Sequence, residues 1–334
     1  MQLERKSKVK MKYSKMDENF FQIMTDVLIN FDHHPYRYLI NKKNDVIAFW
    51  KQDIEKRIKE GGELYFGISN SDDLKCFALL EELPWDSKIF GTKMAALTYL
   101  TFSKDYNVYE ANKFVNWLLS RAQEKGFKFL LSKVNTDNML SIHSLEGNNF
   151  LLVDTLLDFI WQKSENSLGK EEMGNERIKI EEATLNDECE LKEIAKKAFM
   201  KHFGRYHSDP KIPKDKANSV YEEWISSSLR GYADYFYIAR IDGKVAGYSI
   251  WKKPSELEKV NNLSLGHYSI ASVSENYRGM GIFKALTYAG MKALGREVDT
   301  IEGPTHINNY PVQKGYISLG WKIGDARHSF HKWL

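Results

Sequence analysis

The sequence predicts a mixed α/β (α+β) protein made of two similar halves in tandem. Three observations carry this reading. A polar, glycine-containing stretch, QKSENSLGKEEMGNE (162–176), interrupts the hydrophobic periodicity near the middle of the 334-residue chain. Both halves end in the same succession of strand, Asn-containing turn, helix, glycine stop and strands. These are FKFLLSKVNTDNMLSIHSLEGNNFLLVDTLLDFIW in the first half and VDTIEGPTHINNYPVQKGYISLGWKIGDARHSFHKWL in the second. Finally, a β-rich run gives way to helical spacing across a glycine turn, RGMG at 278–281.

The elements follow in order. The first residues, MQLERKSKVKMKYSK (1–15), are basic, lack the apolar core of a leader peptide and read as a solvated tail. A first domain spans 16–163, a linker 164–176 and a second domain 177–334. Near the end of the first domain a turn falls at Gly147 to Asn149. In the second, YFYIARIDGKVAGYSIWKK (235–253) is a strand pair turned at Asp242-Gly243, and HYSIASVS (267–274) is a further strand. The following helix sets Ile282, Leu286, Ala289 and Ala293 on one face. The last helix takes Asn309 as N-cap, Pro311 as an early helical residue and Gly320 as its stop. Val312 and Tyr316, four apart, share a face of it. In the first half Asn138, Ser141, Leu145 and Phe150 run parallel to Asn309, Val312, Tyr316 and Trp321.

Composition narrows the function. The chain is 43% hydrophobic and 28% charged with a net charge of +3, so nothing argues for a nucleic-acid partner. No apolar run is long enough for a membrane span. Two cysteines, Cys76 and Cys189, give neither a disulfide framework nor a metal-ligand spacing, which suits a cytoplasmic protein without a metal.

A glycine turn before a helix can cradle an anion. The first amide N–H groups of a helix have no internal partner, the peptide dipoles add positive charge there, and glycines let backbone approach a ligand. The Walker and dinucleotide glycine spacings are both absent. What fits is V-x4-R-x-x-G-x-[G/A]-x-x-L, here Val273, Arg278, Gly281 and Leu286 with Phe283 in the small-residue slot. N-x-x-A-x-x-x-Y-x-x-x-G-F follows, here Asn309, Val312, Tyr316, Gly320 and Trp321. Over most of 177–334 the chain thus resembles the GNAT-type N-acetyltransferases. That resemblance implies two tandem GNAT-like domains, each a mostly antiparallel mixed sheet flanked by helices. The first is degenerate, since it lacks R-x-x-G-x-G and carries Leu145 in the place of Tyr316. It also implies acetyl-CoA as co-substrate. Arg278, Gly279, Met280, Gly281, Ile282 and Phe283 would hold its pyrophosphate, with Ala271, Val273 and Asn309 completing the set. Phe283 and Val312 depart from the family pattern, and Phe283 is expected to point away from the pyrophosphate.

Three further stretches, LPWDSKIFG (83–91), HFGRYHSDPKIP (202–213) and VYEEWISSSLRG (220–231), resemble dTDP-4-amino-4,6-dideoxygalactose (dTDP-fucosamine) acetyltransferases. The implied acceptor is an amine of a dTDP- or UDP-linked amino sugar. Arg205, His207, Asp209, Tyr221 and Trp224 offer the cation, hydrogen-bonding groups and aromatic faces such a ligand needs. Asp209-Pro210 also fits a simple turn, Tyr221 and Trp224 a core stripe, and Trp85-Asp86-Ser87 a capped helix start with a buried tryptophan. Tyr316 reads as the general acid that protonates the departing thiolate, and His267 as a base toward the amine. Neither cysteine suits covalent catalysis: Cys189 has acidic neighbours and Cys76 lies in an apolar run. The alternatives are an enzyme for another small primary amine and a non-catalytic acyl-CoA sensor. A homodimer is compatible with either.

Overall fold

The computed structural model describes residues 11–16, 28–70, 73–165, 176–200 and 203–334. Most of the basic tail and of the linker lie outside these residues. The chain divides into two compact units, one running to Leu152 and including His328–Leu334, the other Val153–Arg327. The boundary expected at 164–176 thus falls earlier. Strand β6 (Leu151–Gln162) forms its antiparallel ladder with β11 (Thr300–His306), which ties the end of the first sequence half to the second unit.

The first unit orders β1 (Lys12–Lys15), β2 (Glu63–Ile68), β3 (Leu74–Glu82), β4 (Met94–Phe102) and β5 (Phe129–Asn135) side by side in a sheet. All neighbours are antiparallel except β4 and β5. A parallel pair needs a crossover, and helix α3 (Val108–Glu124) supplies it, after α1 (Lys43–Lys59) and α2 (Pro84–Phe90). The α3 face Ala111, Phe114, Val115, Leu118 and Ala122 is buried at helical spacing, in one core with Leu145 of α4 (Met139–Gly147) and Phe330 near the end of the chain. Trp85, expected to be buried, is 37% exposed at the start of α2, and no side chain caps that helix. Ser87 instead accepts from the amide of Met94.

The second unit follows the same plan. Its sheet runs from the first part of β12 (Lys322–Trp333) through β6, β11, β10 (Leu265–Val273), β9 (Lys244–Lys252) and β8 (Tyr235–Ile241) to β7 (Lys179–Glu182). From β6 to β7 the neighbours are again antiparallel except for one pair, β10 with β11. The hairpin β8–β9 turns at Asp242 (φ 49°) and Gly243 (φ 80°), the two left-handed residues that the predicted two-residue turn requires. The helices are α5 (Glu188–Phe199), α6 (Arg205–Ser208), α7 (Lys214–Ser227), α8 (Glu256–Val260), α9 (Ile282–Leu294) and α10 (Tyr310–Ser318). The buried stripe of α9 runs through Ile282, Leu286, Gly290, Met291 and Leu294 rather than through Ala289 and Ala293. Gly290 draws it round, because the ring of Trp251 lies where a Cβ would be, 1.9 Å away.

Candidate functional site

The parallel pair decides where the second unit can bind something. The rungs between β10 and β11 are Leu265–Thr300, Gly266–Ile301 and His267–Glu302 only. Both strands continue, to Val273 and His306, without pairing to each other. A register shift against β9 between Tyr268 and Ile270 accompanies the parting. Past His267, the β10 edge that includes Ala271 and Val273 therefore has peptide groups with no ladder toward β11.

Side chains alternate across the sheet. Tyr268, Gly303 and Phe159 lie on the face covered by α9 and α10, in one cluster with Phe283, Tyr316 and Trp321. Tyr316 is 3% exposed. Its ring stands edge-on to Phe283 and Tyr268, at 5.7 Å and 5.8 Å, and is stacked on Trp321 at 4.8 Å. Its hydroxyl lies against Gly303, the first β11 residue past the rungs, and has no hydrogen-bond partner among the described residues. Burial pushes the phenol well above its ordinary pKa, so the proton is held. Phe283 packs on Gly315 of α10.

The loop between β10 and α9 is shaped by Gly279 (φ 79°) and Gly281 (φ 86°), both left-handed. A Cβ on either would meet nothing within 4 Å, so they border open space. Gly281 is the N-cap of α9 and supplies no side chain to close it. No acceptor within the described residues takes the backbone N–H of Gly279, Met280, Gly281, Ile282, Phe283 or Lys284. Arg278 is exposed beside them, 3.7 Å from Glu275. This run of free amides with a cation fits the diphosphate of a nucleotide-type ligand. The corresponding turn of the first unit is closed: the Asn107 side chain accepts from the amide of Glu110 and caps α3. The two Asn-led helices differ likewise. Asn138 caps α4 through Ser141, whereas Asn309 at the N-cap of α10 makes no capping bond.

The opposite face carries His267, Glu302, Pro304 and His306, with Asp158 of β6 in register with Pro304 and Asp154 four residues before it on the same side of β6. His267 lies between two carboxylates, 3.0 Å from Glu258 and 2.9 Å from Glu302. Burial opposes its charge, but the hydrogen bonds to both glutamates win and raise its pKa to about 10. An imidazolium donating at both nitrogens has no lone pair for a further proton, so the structure does not present His267 as a base. The Asp158 carboxyl is raised by burial, against the pull of Arg327 at 2.6 Å.

Of the expected acceptor residues, Arg205 meets the far end of this face. The amide of Arg205 donates to Asp154, and the Arg205 guanidinium lies 4.3 Å from the Tyr206 ring centroid. His207 bonds Asn218 and is stacked near Tyr221, which itself stacks on Phe199 at 3.8 Å as part of the core. Asp209 is buried and accepts from the amide of Lys211, a turn-closing role. Trp224 is half-buried on α7 with its Nε1 unpartnered. Glu258, Glu302, Asp154 and His306 were not among the candidates. For Asp154 the signal was a carboxylate inside the apolar strand LLVDTLLDFIW, with Asp158 four residues on and so on the same face.

No family model matches the sequence. A spore coat polysaccharide biosynthesis protein, SpsD of Bacillus subtilis, is 24% identical over 142 residues, 42% of this chain and 46% of that protein. An N-alpha-acetyltransferase of Sulfurisphaera tokodaii is 33% identical over 110 residues, 30% of this chain and 65% of that one. The chain thus spans from under half to just under two thirds of these curated relatives. Among solved structures, a tandem GNAT protein from the clavulanic acid pathway matches over 97% of this chain and 98% of its own, with TM-score 0.56 and 11% identity. A GCN5-related glucosamine N-acetyltransferase region of a fungal multi-domain protein covers 98% of this chain and 38% of its own, at TM-score 0.61 and 13% identity. A GCN5-related N-acetyltransferase from Sphaerobacter thermophilus matches with TM-score 0.56 and 12% identity over 81% of this chain and 80% of its own. These likenesses establish the fold as that of the GNAT proteins, in tandem. Among the described residues no helix is long and apolar enough to cross a membrane, and no group of His, Cys, Asp and Glu could hold a metal.

Proposed function

We propose that the chain is an acetyl-CoA-dependent N-acetyltransferase whose acceptor is an amine of a nucleotide-linked amino sugar. The row of unsatisfied amides at 279–284, with open space at Gly279 and Gly281 and with Arg278 beside it, is the observation that supports this most. A diphosphate satisfies such donors, and the unpaired edge of β10 offers peptide groups to the amide-containing arm that follows it. That arm leads to the point where β10 and β11 part, where the Tyr316 hydroxyl lies.

The chemistry follows from that placement. The neutral amine attacks the thioester carbonyl carbon, and the C–S bond breaks. The departing thiolate takes the Tyr316 proton, and the acetylated nitrogen loses its extra proton to water. Tyr316 regains a proton from solvent. Holding amine and thioester together contributes much of the rate. Glu258 and Glu302 leave one net negative charge around His267, which favours an approaching ammonium.

The name of the Bacillus relative, a polysaccharide biosynthesis protein, supports a sugar acceptor. That of the Sulfurisphaera relative supports a second reading, an α-amine of a peptide. Thiol release from acetyl-CoA, measured with dTDP- and UDP-linked amino sugars, an aminoglycoside and a short peptide, tests both. Turnover is expected to be highest with the nucleotide sugars. A peptide preference would install the second reading, and acetyl-CoA binding without turnover on any amine would make the chain a sensor.

A further inference from the structure

Tyr268 is the first β10 residue past the rungs shared with β11, at the register shift against β9. Its hydroxyl is 3.1 Å from that of Thr287, and the Thr287 hydroxyl donates to the carbonyl of Phe283 at 2.7 Å. A carbonyl only accepts, so the Thr287 proton is committed to Phe283 and the Tyr268 proton goes to Thr287. Both residues are buried, Tyr268 in one cluster with Trp251, Tyr316 and Trp321. A hydroxyl displaced from such a chain loses its partner away from water, so the chain holds its members in one arrangement.

The two ends of the chain lie at the two places the proposed ligand would occupy. Phe283 and Thr287 belong to the first two turns of α9, and the amide of Phe283 is one of the free donors of the cradle. Tyr268 lies where β10 and β11 part, edge-on to Tyr316 at 5.8 Å. A threonine bond to the carbonyl four residues back stabilises a helix little by itself. Its contribution here lies in tying the start of α9 to the parted strand.

We propose that Tyr268 and Thr287 are positioning residues that set the spacing between the cradle and the parting of the strands. The inference rests on the acetyl-CoA reading, in which the diphosphate at 279–284 and the thioester near Tyr316 are two ends of one molecule. A misplacement of about 1 Å weakens a ligand held at both ends and leaves one held at a single end untouched.

Calorimetry on the full chain with acetyl-CoA, and with ADP, which has the diphosphate but neither arm nor thioester, decides it. Thr287→Val keeps the shape and removes the hydroxyl. It is expected to raise the acetyl-CoA dissociation constant at least about tenfold and to leave that of ADP within about threefold of wild type. Thr287→Ser restores the hydroxyl and is expected to bind acetyl-CoA within about threefold of wild type. Tyr268→Phe keeps the stack on Trp251 at 3.8 Å and breaks the same chain. It should therefore match Thr287→Val, and the double variant should be no weaker than either alone. Should Thr287→Val not fold, Tyr268→Phe decides. A merely structural pair predicts lower melting with both ligands bound as in wild type, and a distorted cradle predicts equal losses for both ligands. Either result overturns the positioning role, as do additive losses in the double variant or a serine variant as weak as the valine one. In those cases wild-type binding keeps the acetyl-CoA reading. A wild type that binds no acetyl-CoA overturns that reading and the proposal with it.

Discussion

Tyr316 holds its hydroxyl so close to Gly303 that a Cβ on residue 303 would lie 2.8 Å from the oxygen. The same added carbon would meet Trp321 and the Cβ of Tyr268 at 3.2 Å, so the pocket has no slack. A backbone without a side chain is what allows the phenol to reach the point where β10 and β11 part. Gly303→Ala is therefore expected to push the hydroxyl off its line. The overpacking costs about 1 kcal/mol or somewhat more, while turnover falls about tenfold or beyond. Turnover equal to wild type in a folded variant would show that the hydroxyl's position does not matter.

Removing the hydroxyl itself is the sharper change. Tyr316→Phe keeps the ring among Phe159, Tyr268, Phe283 and Trp321. Since the hydroxyl has no partner among the described residues, stability should move little. Turnover should fall by about 10²- to 10⁴-fold, with a much smaller change in KM for acetyl-CoA. Burial raises the phenol's pKa well above 10, which moves its titration out of the working range. The wild-type rate should therefore show no decline from Tyr316 between pH 7 and pH 10. A decline near pH 9 that vanished in the phenylalanine variant would contradict the buried phenol. Turnover within about threefold of wild type, with chemistry rate-limiting, would remove Tyr316 from the mechanism.

The glycine loop makes a prediction about binding rather than rate. Gly281 has φ 86°, which an L-residue adopts at a cost of about 1–2 kcal/mol. Because the space beside it is open, Gly281→Val should not clash; it should turn the amides of 279–284 out of line. The acetyl-CoA dissociation constant is expected to rise at least about tenfold with a modest drop in melting temperature. Wild type should bind one acetyl-CoA per chain, because Asn107 already closes the matching turn of the first unit. Two equivalent sites by calorimetry would mean that the first unit is not degenerate.

Local chemistry made the glycine loop, the Asp242-Gly243 hairpin and the Tyr316 helix legible in the sequence. Each depends on residues a few positions apart, which is the range over which turn and cap preferences act. The unit boundary was not legible. Whether β6 joins the first or the second unit depends on its ladder with β11, and their facing ends, Gln162 and Thr300, are 138 positions apart (300 − 162). The state of His267 was hidden for the same reason. It looked like a base from its place at the head of a strand, but Glu258 and Glu302 make it a cation, and neither is adjacent in sequence. Tyr221 and Asp209 show the reverse limit: residue types suited to a sugar are equally suited to a stacked core ring and a closed turn, and both are used so here.

The clamp on His267 yields the last prediction. Its folded pKa, about 10, lies above the unfolded value near 6.5. Protonation is therefore favoured by folding. The stabilisation is complete below about pH 6.5 and is lost as pH rises through about 10. His267→Gln leaves Glu258 and Glu302 facing each other across a neutral amide, a buried charge imbalance that costs about 3 kcal/mol near neutral pH. Comparing denaturant midpoints of wild type and variant from pH 6 to pH 10 should show the gap shrinking steadily as the wild-type imidazolium loses its advantage. If His267 were instead a neutral base in the folded state, the gap would be small at pH 7 and would not close toward pH 10. In that case the proton lost by the amine would have a protein acceptor, and His267 would return to the mechanism in place of water.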